Sequence, residues 1–179
     1  MKATPSMGRM WRRRSIGAAM VAVAASLIVV ATTGAGQAES GHGSSGPKVF
    51  IADRDPYVID QPPASTGPLD LSAGDVALFD EPVETLDTGH ALGAAITRVQ
   101  VIDAVGAADS NFIIDCTVHL PDGDLLFSGA ELFSHLSTVA TVPVVGGTGK
   151  YSGAKGQVRL RPRTVNSATG TEADFDLVH

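Results

Sequence analysis

Three carboxylates in this sequence lie within apolar, strand-like stretches where acid–base chemistry is possible. Asp80 and Glu81 are adjacent, so in one extended strand they must point to opposite faces. Glu131 shares a strand face with Phe127 and Phe133, which we interpret as the inner one. A carboxyl group enclosed by apolar side chains has a raised pKa and can serve as a general acid or base. The alternative is a position at the rim facing water, which must hold for one of the adjacent pair.

The sequence gives little support for nucleotide binding, metal binding or hydrolase chemistry. The segment GGTGK lacks the P-loop spacing, since Lys150 is followed by Tyr151 and then by strand-like residues instead of a helix. The histidines do not recur at a metal-ligand spacing, and we interpret Asp115 and His119, which share a strand face, as a solvated pair. Ser128 lies in no nucleophile-elbow pattern, so hydrolase chemistry has no support. We predict neither a metal nor a cofactor.

Cys116 is the only cysteine, so the chain has no internal disulfide and depends on its core for stability. It lies in the apolar run Asn111–Leu120. We interpret it as a small buried hydrophobic residue, with a reactive thiol as the alternative.

The elements that would position these side chains are organised around Val142–Gly156, with the sequence VPVVGGTGKYSGAKG. Glycines on both sides of Lys150 and Tyr151 predict sharp bends between two strands, because glycine tolerates a positive φ and close backbone approach. Such curvature is needed to close a small barrel.

Short alternating strands follow one another along the chain, and no apolar stripe recurs at helical spacing, so the predicted class is all-β. Arg54–Leu71 is proline-rich and is predicted to be a long irregular connection. The predicted strands are Lys48–Asp53, Val76–Val83, Gly93–Val105, Asn111–Leu120, Leu125–Phe133, Thr138–Val145, Gln157–Arg163 and Glu172–Val178.

The last two predicted strands alternate cleanly, with arginines on one face of Gln157–Arg163 and carboxylates on one face of Glu172–Val178. We expect these strands to pair antiparallel with the opposite charges on the outer, solvated face. We interpret this pairing as structural, with roughly 0.2–1 kcal/mol from each charge pair.

The N-terminus predicts export. Basic residues precede the apolar run Ile16–Ala31 and a small-residue cleavage pattern, so we predict a signal peptide over Met1–Ala38 and a Gly/Ser-rich tether over Glu39–Pro47. The folded domain would then be Lys48–His179. All 19 acidic residues but only eight of the 13 basic ones follow the signal segment, and this charge excludes nucleic acid and the membrane surface as partners.

These residues resemble the allene oxide cyclase and dirigent superfamily. The segment Pro143–Gly156 is similar to that family's strand, Gly-Gly-Thr-Gly, aromatic and Ala-x-Gly signature. Gly74–Val83 resembles its first conserved strand, the segment around Leu92 its second, and Gly123–Gly129 its hairpin. The resemblance extends from about Val76 to the C-terminus.

The resemblance implies an eight-stranded antiparallel, calycin-like β-barrel whose lumen holds an apolar organic molecule, in a homodimer or homotrimer. Asp80 and Glu81 resemble the paired acids of dirigent proteins. The carboxylate and asparagine of the cyclases would fall in Phe50–Ala52 and are absent, while their lumen cysteine and aromatic residue fall at Val99 and Glu131. The resemblance therefore implies the barrel of this family without the active-site residues of its plant members.

Three functions remain open: a cofactor-free cyclase or isomerase, a lipocalin-like carrier of a hydrophobic small molecule, and a secreted barrel with a filled lumen that acts through its surface. For the first, folding one flexible polyunsaturated or polyketide-like substrate in the lumen would lower the barrier by several kcal/mol. The candidate catalytic residues are Glu131, Glu81 and Asp80. The candidate ligand-binding residues are Phe79, Ala77, Val99, Val101, Cys116 and Phe127.

Overall fold

Alternating apolar and polar residues form nine β-strands in the part of the chain that the structure describes. The structure is a computed structural model, and it describes residues 46–59, 72–103 and 110–178. The strands are β1 (Lys48–Ala52), β2 (Tyr57–Ile59), β3 (Val76–Glu84), β4 (Ala91–Val101), β5 (Asn111–Leu120), β6 (Gly123–Leu132), β7 (Ala140–Gly147), β8 (Lys155–Val165) and β9 (Ala168–Val178). One short helix, α1 (Phe133–Leu136), follows β6, and a 3-10 turn, Gly149–Tyr151, connects β7 to β8.

The sheet closes on itself because β1 pairs with both β9 and β3. Strands pair antiparallel in the order β1-β9-β8-β7-β6-β5-β4-β3, and β1 returns to β3 by placing Phe50 opposite Glu84 and Ile51 opposite Val83. The short β2 runs along β3 beyond β1, with Tyr57 opposite Leu78. Together β1 and β2 act as one interrupted strand. The fold is a closed eight-stranded antiparallel β-barrel, which confirms the predicted fold class.

The strand bounds differ from the prediction where tertiary pairing outweighs the local pattern. β5 has the predicted bounds. The prediction that Arg54–Leu71 is wholly irregular was wrong, because hydrogen bonds to β3 hold residues of this segment in the three-residue strand β2. Residues 60–71 and 104–105 lie outside the described residues, as do the predicted signal peptide and most of the predicted tether. Within the described ranges, no helix has the length and apolar character needed to span a bilayer.

The glycine-rich turn between β7 and β8 packs against the β5–β6 hairpin. Gly149 has a φ of +56°, and a Cβ at this position would lie 2.4 Å from the backbone oxygen of Asp122. The backbone N–H of Lys150 donates to that same oxygen at 2.8 Å, and the N–H of Thr148 donates to the backbone oxygen of Asp124 at 2.9 Å. Both the positive φ and the close approach require glycine at position 149.

Inward-facing apolar side chains fill part of the barrel and form its hydrophobic core. Burial of each large apolar side chain contributes about 1.5–3 kcal/mol. The rings of Phe127 and Phe175 lie 6.2 Å apart between centroids and join the β6 and β9 sides of this core. Fully buried members of the core include Val83, Phe112, Val118, Leu125, Val142, Val158 and Phe175.

Charged side chains cover the outer face where β1, β9 and β8 lie side by side, as the paired arginines and carboxylates predicted. Asp174 accepts from Lys48 at 3.0 Å and from Arg159 at 3.2 Å, while Glu172 accepts from Arg163 at 2.7 Å. We call these five residues the β1–β9–β8 ion network. The expectation of a solvated face was wrong for the two acids, which are only 4% and 2% exposed because the long basic side chains lie over them.

Candidate functional site

A cavity of about 140 Å³ lies inside the barrel. Leu136 of α1 and the exposed Pro162 of β8 border it, so it reaches the surface at this end of the barrel. An apolar cavity of about 150 Å³ can hold benzene, so this one accommodates one six-membered ring while larger substituents project outward. Its apolar wall includes Phe79, Val99, Phe112, Ile114, Phe127 and Leu160.

Glu81 points from β3 into this cavity, while the adjacent Asp80 is exposed on the opposite face of the strand. Burial raises the pKa of Glu81 to about 7, and the negative charges of Asp53 and Asp80 act in the same direction. A hydrogen bond from the backbone N–H of Arg54 opposes the shift. Glu81 is therefore divided between its acid and carboxylate forms near neutral pH, as a residue that both donates and accepts protons requires.

Asp53 is a second carboxyl group that lines the cavity, and it was absent from the predicted site. It directly follows β1, and its backbone N–H donates to the backbone oxygen of Thr169 at 3.0 Å. Burial raises the pKa of Asp53, and a hydrogen bond from the Thr169 side chain partly opposes this. Its Oδ2 atom is buried and has no hydrogen-bond partner among the described residues. The alternation of Val49, Ile51 and Asp53 along one face was the available sequence signal.

The structure places the other predicted ligand-binding residues in two groups. Phe79, Val99 and Phe127 line the cavity. Ala77 and Val101 are buried in the barrel and are not among the lining residues.

Cys116 belongs to the filled part of the core, beside the cavity. Its sulfur accepts a hydrogen bond from Oγ1 of Thr97 at 3.2 Å, and Thr97 lines the cavity. Burial raises the thiol pKa to about 12, and the charge of Glu81 adds to this effect. Cys116 therefore stays protonated near neutral pH, which supports the interpretation as a buried hydrophobic residue.

Glu131 lies near the same end of the barrel but is not among the residues that line the cavity. Its side chain is 12% exposed, and Oε2 lies 2.6 Å from Nδ1 of His135 in α1. The rings of Phe112 and Phe133 lie 4.9 Å apart and pack the same helix onto β5. In this arrangement Glu131 holds α1, and α1 places Leu136 against the cavity.

The remaining polar groups form structural contacts on the outside of the barrel. Nδ1 of His119 lies 2.8 Å from Asp124, which also accepts a hydrogen bond from Thr148 at 3.0 Å. Asp115 instead accepts from Arg98 at 3.0 Å. In the described ranges, no three His, Cys, Asp or Glu side chains come together as a metal site would require.

Comparison with known proteins agrees with this closed barrel. The family model described as "Dirigent-like protein" matches residues 48–178. The chain therefore belongs to the dirigent-like family, as the glycine-rich signature and the ordered blocks predicted. No curated protein matches the chain.

Several solved structures share the fold at low sequence identity. A pyocyanin demethylase is 17% identical with a TM-score of 0.56, over 74% of this chain and 98% of its own. The pterocarpan synthase dirigent protein GePTS1 is 16% identical with a TM-score of 0.59, over 72% of this chain and 85% of its own. AbnU, an exo-specific intermolecular Diels-Alderase, is 15% identical with a TM-score of 0.55, over 74% and 98%. At these identities the likeness establishes the fold alone.

Proposed function

We propose that this protein is an exported barrel that binds a small apolar molecule in its lumen and steers the cyclisation or isomerisation of that molecule without a cofactor. The observation that supports this most directly is the carboxyl group of Glu81 in a cavity whose wall is largely apolar. The fold neighbours include proteins named for a pterocarpan synthesis and for a Diels–Alder reaction. The basic and apolar N-terminal segment supports export.

The proposed mechanism combines substrate orientation with proton transfer. The aromatic wall would hold the reacting part of the substrate in one conformation, which lowers the entropy lost on reaching the transition state. Protonated Glu81 would donate its proton to an oxygen or carbon of the substrate, and the resulting carboxylate would take a proton from another atom of the same molecule, so that no net proton is consumed. Asp53 would favour the protonated form of Glu81 through its negative charge. We assign no contact with the reacting atoms to Asp80 or Glu131.

The size of the cavity limits how much of a substrate it can enclose. At about 140 Å³ it cannot enclose a whole polyene or polyketide chain, because typical ligand pockets are about 300–1,000 Å³. The proposed substrate therefore places one ring, or one reacting segment, in the cavity and extends its remainder through the border formed by Leu136 and Pro162.

The test compares product formation with wild-type protein and with Glu81→Gln. Purified protein is incubated with a panel of polyunsaturated epoxides and phenolic quinone methides, and the products are resolved by chiral chromatography and mass spectrometry. We expect an altered product ratio with wild type and about a 10²-fold or greater loss of rate with Glu81→Gln. Asp122→Asn, which alters a carboxylate exposed in the β5–β6 turn, serves as the matched control.

A carrier is the second candidate, because the apolar wall can retain a ligand without any chemistry. Saturable binding of a lipophilic fluorophore, with unchanged substrates across the whole panel, would favour the carrier and reject the catalytic proposal. A failure of both assays would leave only a barrel that acts through its surface.

A further inference from the structure

The cavity has two chemically different regions. Phe79, Phe112 and Phe127 contribute aromatic rings to its wall, whereas Asp53, directly after β1, and Glu81 of β3 contribute carboxyl groups. A pair of acids inside an apolar cavity is unfavourable unless a proton or a cation offsets the charge. What offsets this charge therefore indicates what the cavity binds.

The described part of the chain supplies little positive charge to this region. Arg161 is the one basic residue among those that line the cavity, but its Nη2 atom lies 3.9 Å from Asp174, which belongs to the ion network on the outer face. Arg54 contributes a backbone N–H to Glu81. The buried Oδ2 atom of Asp53 has no hydrogen-bond partner among the described residues, so one acceptor in the cavity remains available to a ligand.

Going beyond the proposed function, we propose that the same cavity also binds a second class of ligand, a compact aromatic cation, which would compete with the apolar substrate. It carries one planar ring with an amidinium-like or protonated amine group, and the N–H groups donate to Asp53 and Glu81. The ring occupies the aromatic part of the cavity, where the volume of about 140 Å³ suits a single substituted six-membered ring.

Three physical effects favour a cation over a neutral ring of the same size. A planar N–H fork can donate to two carboxylate oxygens at once, and charge-assisted bonds are about twice as strong as neutral ones. Phenylalanine rings attract a nearby cation through their quadrupole. The excess of acidic residues in the domain also raises the local concentration of cations and speeds their association.

The test uses three probes with the same ring and different charge: benzamidine, benzamide and benzoate. Binding is measured by calorimetry at about pH 7 and low salt, in buffers of different ionisation enthalpy. We expect benzamidine to bind at least about tenfold more tightly than benzamide, benzoate not to bind, and benzamidine binding to release protons as Glu81 ionises beside the cation.

Two variants distinguish the effect of a charge inside the cavity from the effect of the protein's overall charge. Asp53→Asn removes one acid from the cavity and should weaken benzamidine binding about tenfold while changing benzamide binding by less than about twofold. Asp122→Asn removes the same charge from an exposed turn and should leave both affinities within about twofold.

Three outcomes would overturn the inference. It is rejected if benzamide binds as tightly as benzamidine, or if Asp53→Asn and Asp122→Asn have equal effects. It is also rejected if none of the three probes binds while a neutral lipophilic fluorophore does, and in that case the proposed lumen-binding function stands. If the fluorophore also fails to bind, the proposed function is rejected with it.

Discussion

Glu81 shows how the position of a side chain in a strand can raise the pKa of an ordinary carboxyl group. Asp80 and Glu81 are consecutive in β3, yet one is exposed and the other lines the cavity because strand side chains alternate. Burial and the charge of Asp53 then raise the pKa of the inner residue to about 7. Burial in the cavity, reinforced by the charge of Asp53 after β1, therefore sets the raised pKa of Glu81.

The raised pKa of Glu81 predicts a characteristic pH dependence of stability. Between its ordinary value of 4.5 and about 7, the folded protein retains a proton that the unfolded chain has released, so stability falls as pH rises through this window and levels off above it. The Glu81→Gln variant has no carboxyl group at this position, so it does not lose this stability as the pH rises. Because the side chain is half-buried, we expect the variant to gain about 1–2 kcal/mol relative to wild type at about pH 8, and little below pH 4.5.

Urea unfolding at about pH 4.5 and pH 8 measures this difference. Asp122→Asn should follow the wild-type pH dependence, since its carboxylate is exposed. Parallel pH profiles for wild type and Glu81→Gln would show that the carboxyl group is not buried as described.

At the scale of elements, the connection between β7 and β8 determines where the barrel wall bends. The turn is fastened to the β5–β6 hairpin through the backbone oxygens of Asp122 and Asp124. Two elements separated in sequence are thereby fixed to each other without a disulfide. The bend depends on backbone contacts that only certain glycines permit.

Gly149→Ala is expected to destabilise the protein strongly, whereas Gly146→Ala is the matched control. At Gly149 the φ is +56° and a Cβ would meet the Asp122 oxygen at 2.4 Å, so we expect a loss of at least about 2 kcal/mol. At Gly146 no atom lies within 4 Å of an added Cβ and φ is not positive, so the change should remain within about 0.5 kcal/mol. Thermal unfolding of both variants tests the turn, and similar losses at the two positions would contradict this account.

At the scale of the whole molecule, the barrel is closed by β1 and reinforced on its outside by the β1–β9–β8 ion network. Lys48 of β1 contacts Asp174 of β9 at 3.0 Å, and Arg159 of β8 reaches the same carboxylate. Three adjacent strands therefore share one buried acid. Removing that acid would leave the basic side chains facing one another.

Asp174→Ala should destabilise the barrel by about 3 kcal/mol, because it removes the acid of a buried charge network and leaves the basic side chains without that counter-charge. Asp176→Ala alters the next outward-facing acid of β9, which is less buried, and should cost less than about 0.5 kcal/mol. Denaturant unfolding of the two variants provides the comparison. Equal effects would mean that the network contributes no more than an ordinary exposed acid.

Alternation in segments such as Asn111–Leu120 and the glycine-rich turn predicted an all-β class with sharp bends, because both are local signals with a strong steric basis. The eight-stranded barrel followed from the resemblance to a known family. The sequence was sufficient to predict that Asp80 and Glu81 point to opposite faces of their strand. It was not sufficient to identify Asp53 as a neighbour of Glu81, since the partner of β1 is determined by barrel closure. The contact between Glu131 and His135 depends on the chain leaving β6 as a helical turn, for which the alternating pattern contains no signal.

The gap between β1 and β2 places a polar side chain at the cavity without interrupting the closure of the barrel. Strand pairing stops at Ala52 and resumes at Tyr57, and within this gap Asp53 lines the cavity while its backbone N–H still donates to Thr169 of β9. A substitution of the Asp53 side chain would therefore change the polar lining of the cavity while the strand pairing that closes the barrel is kept.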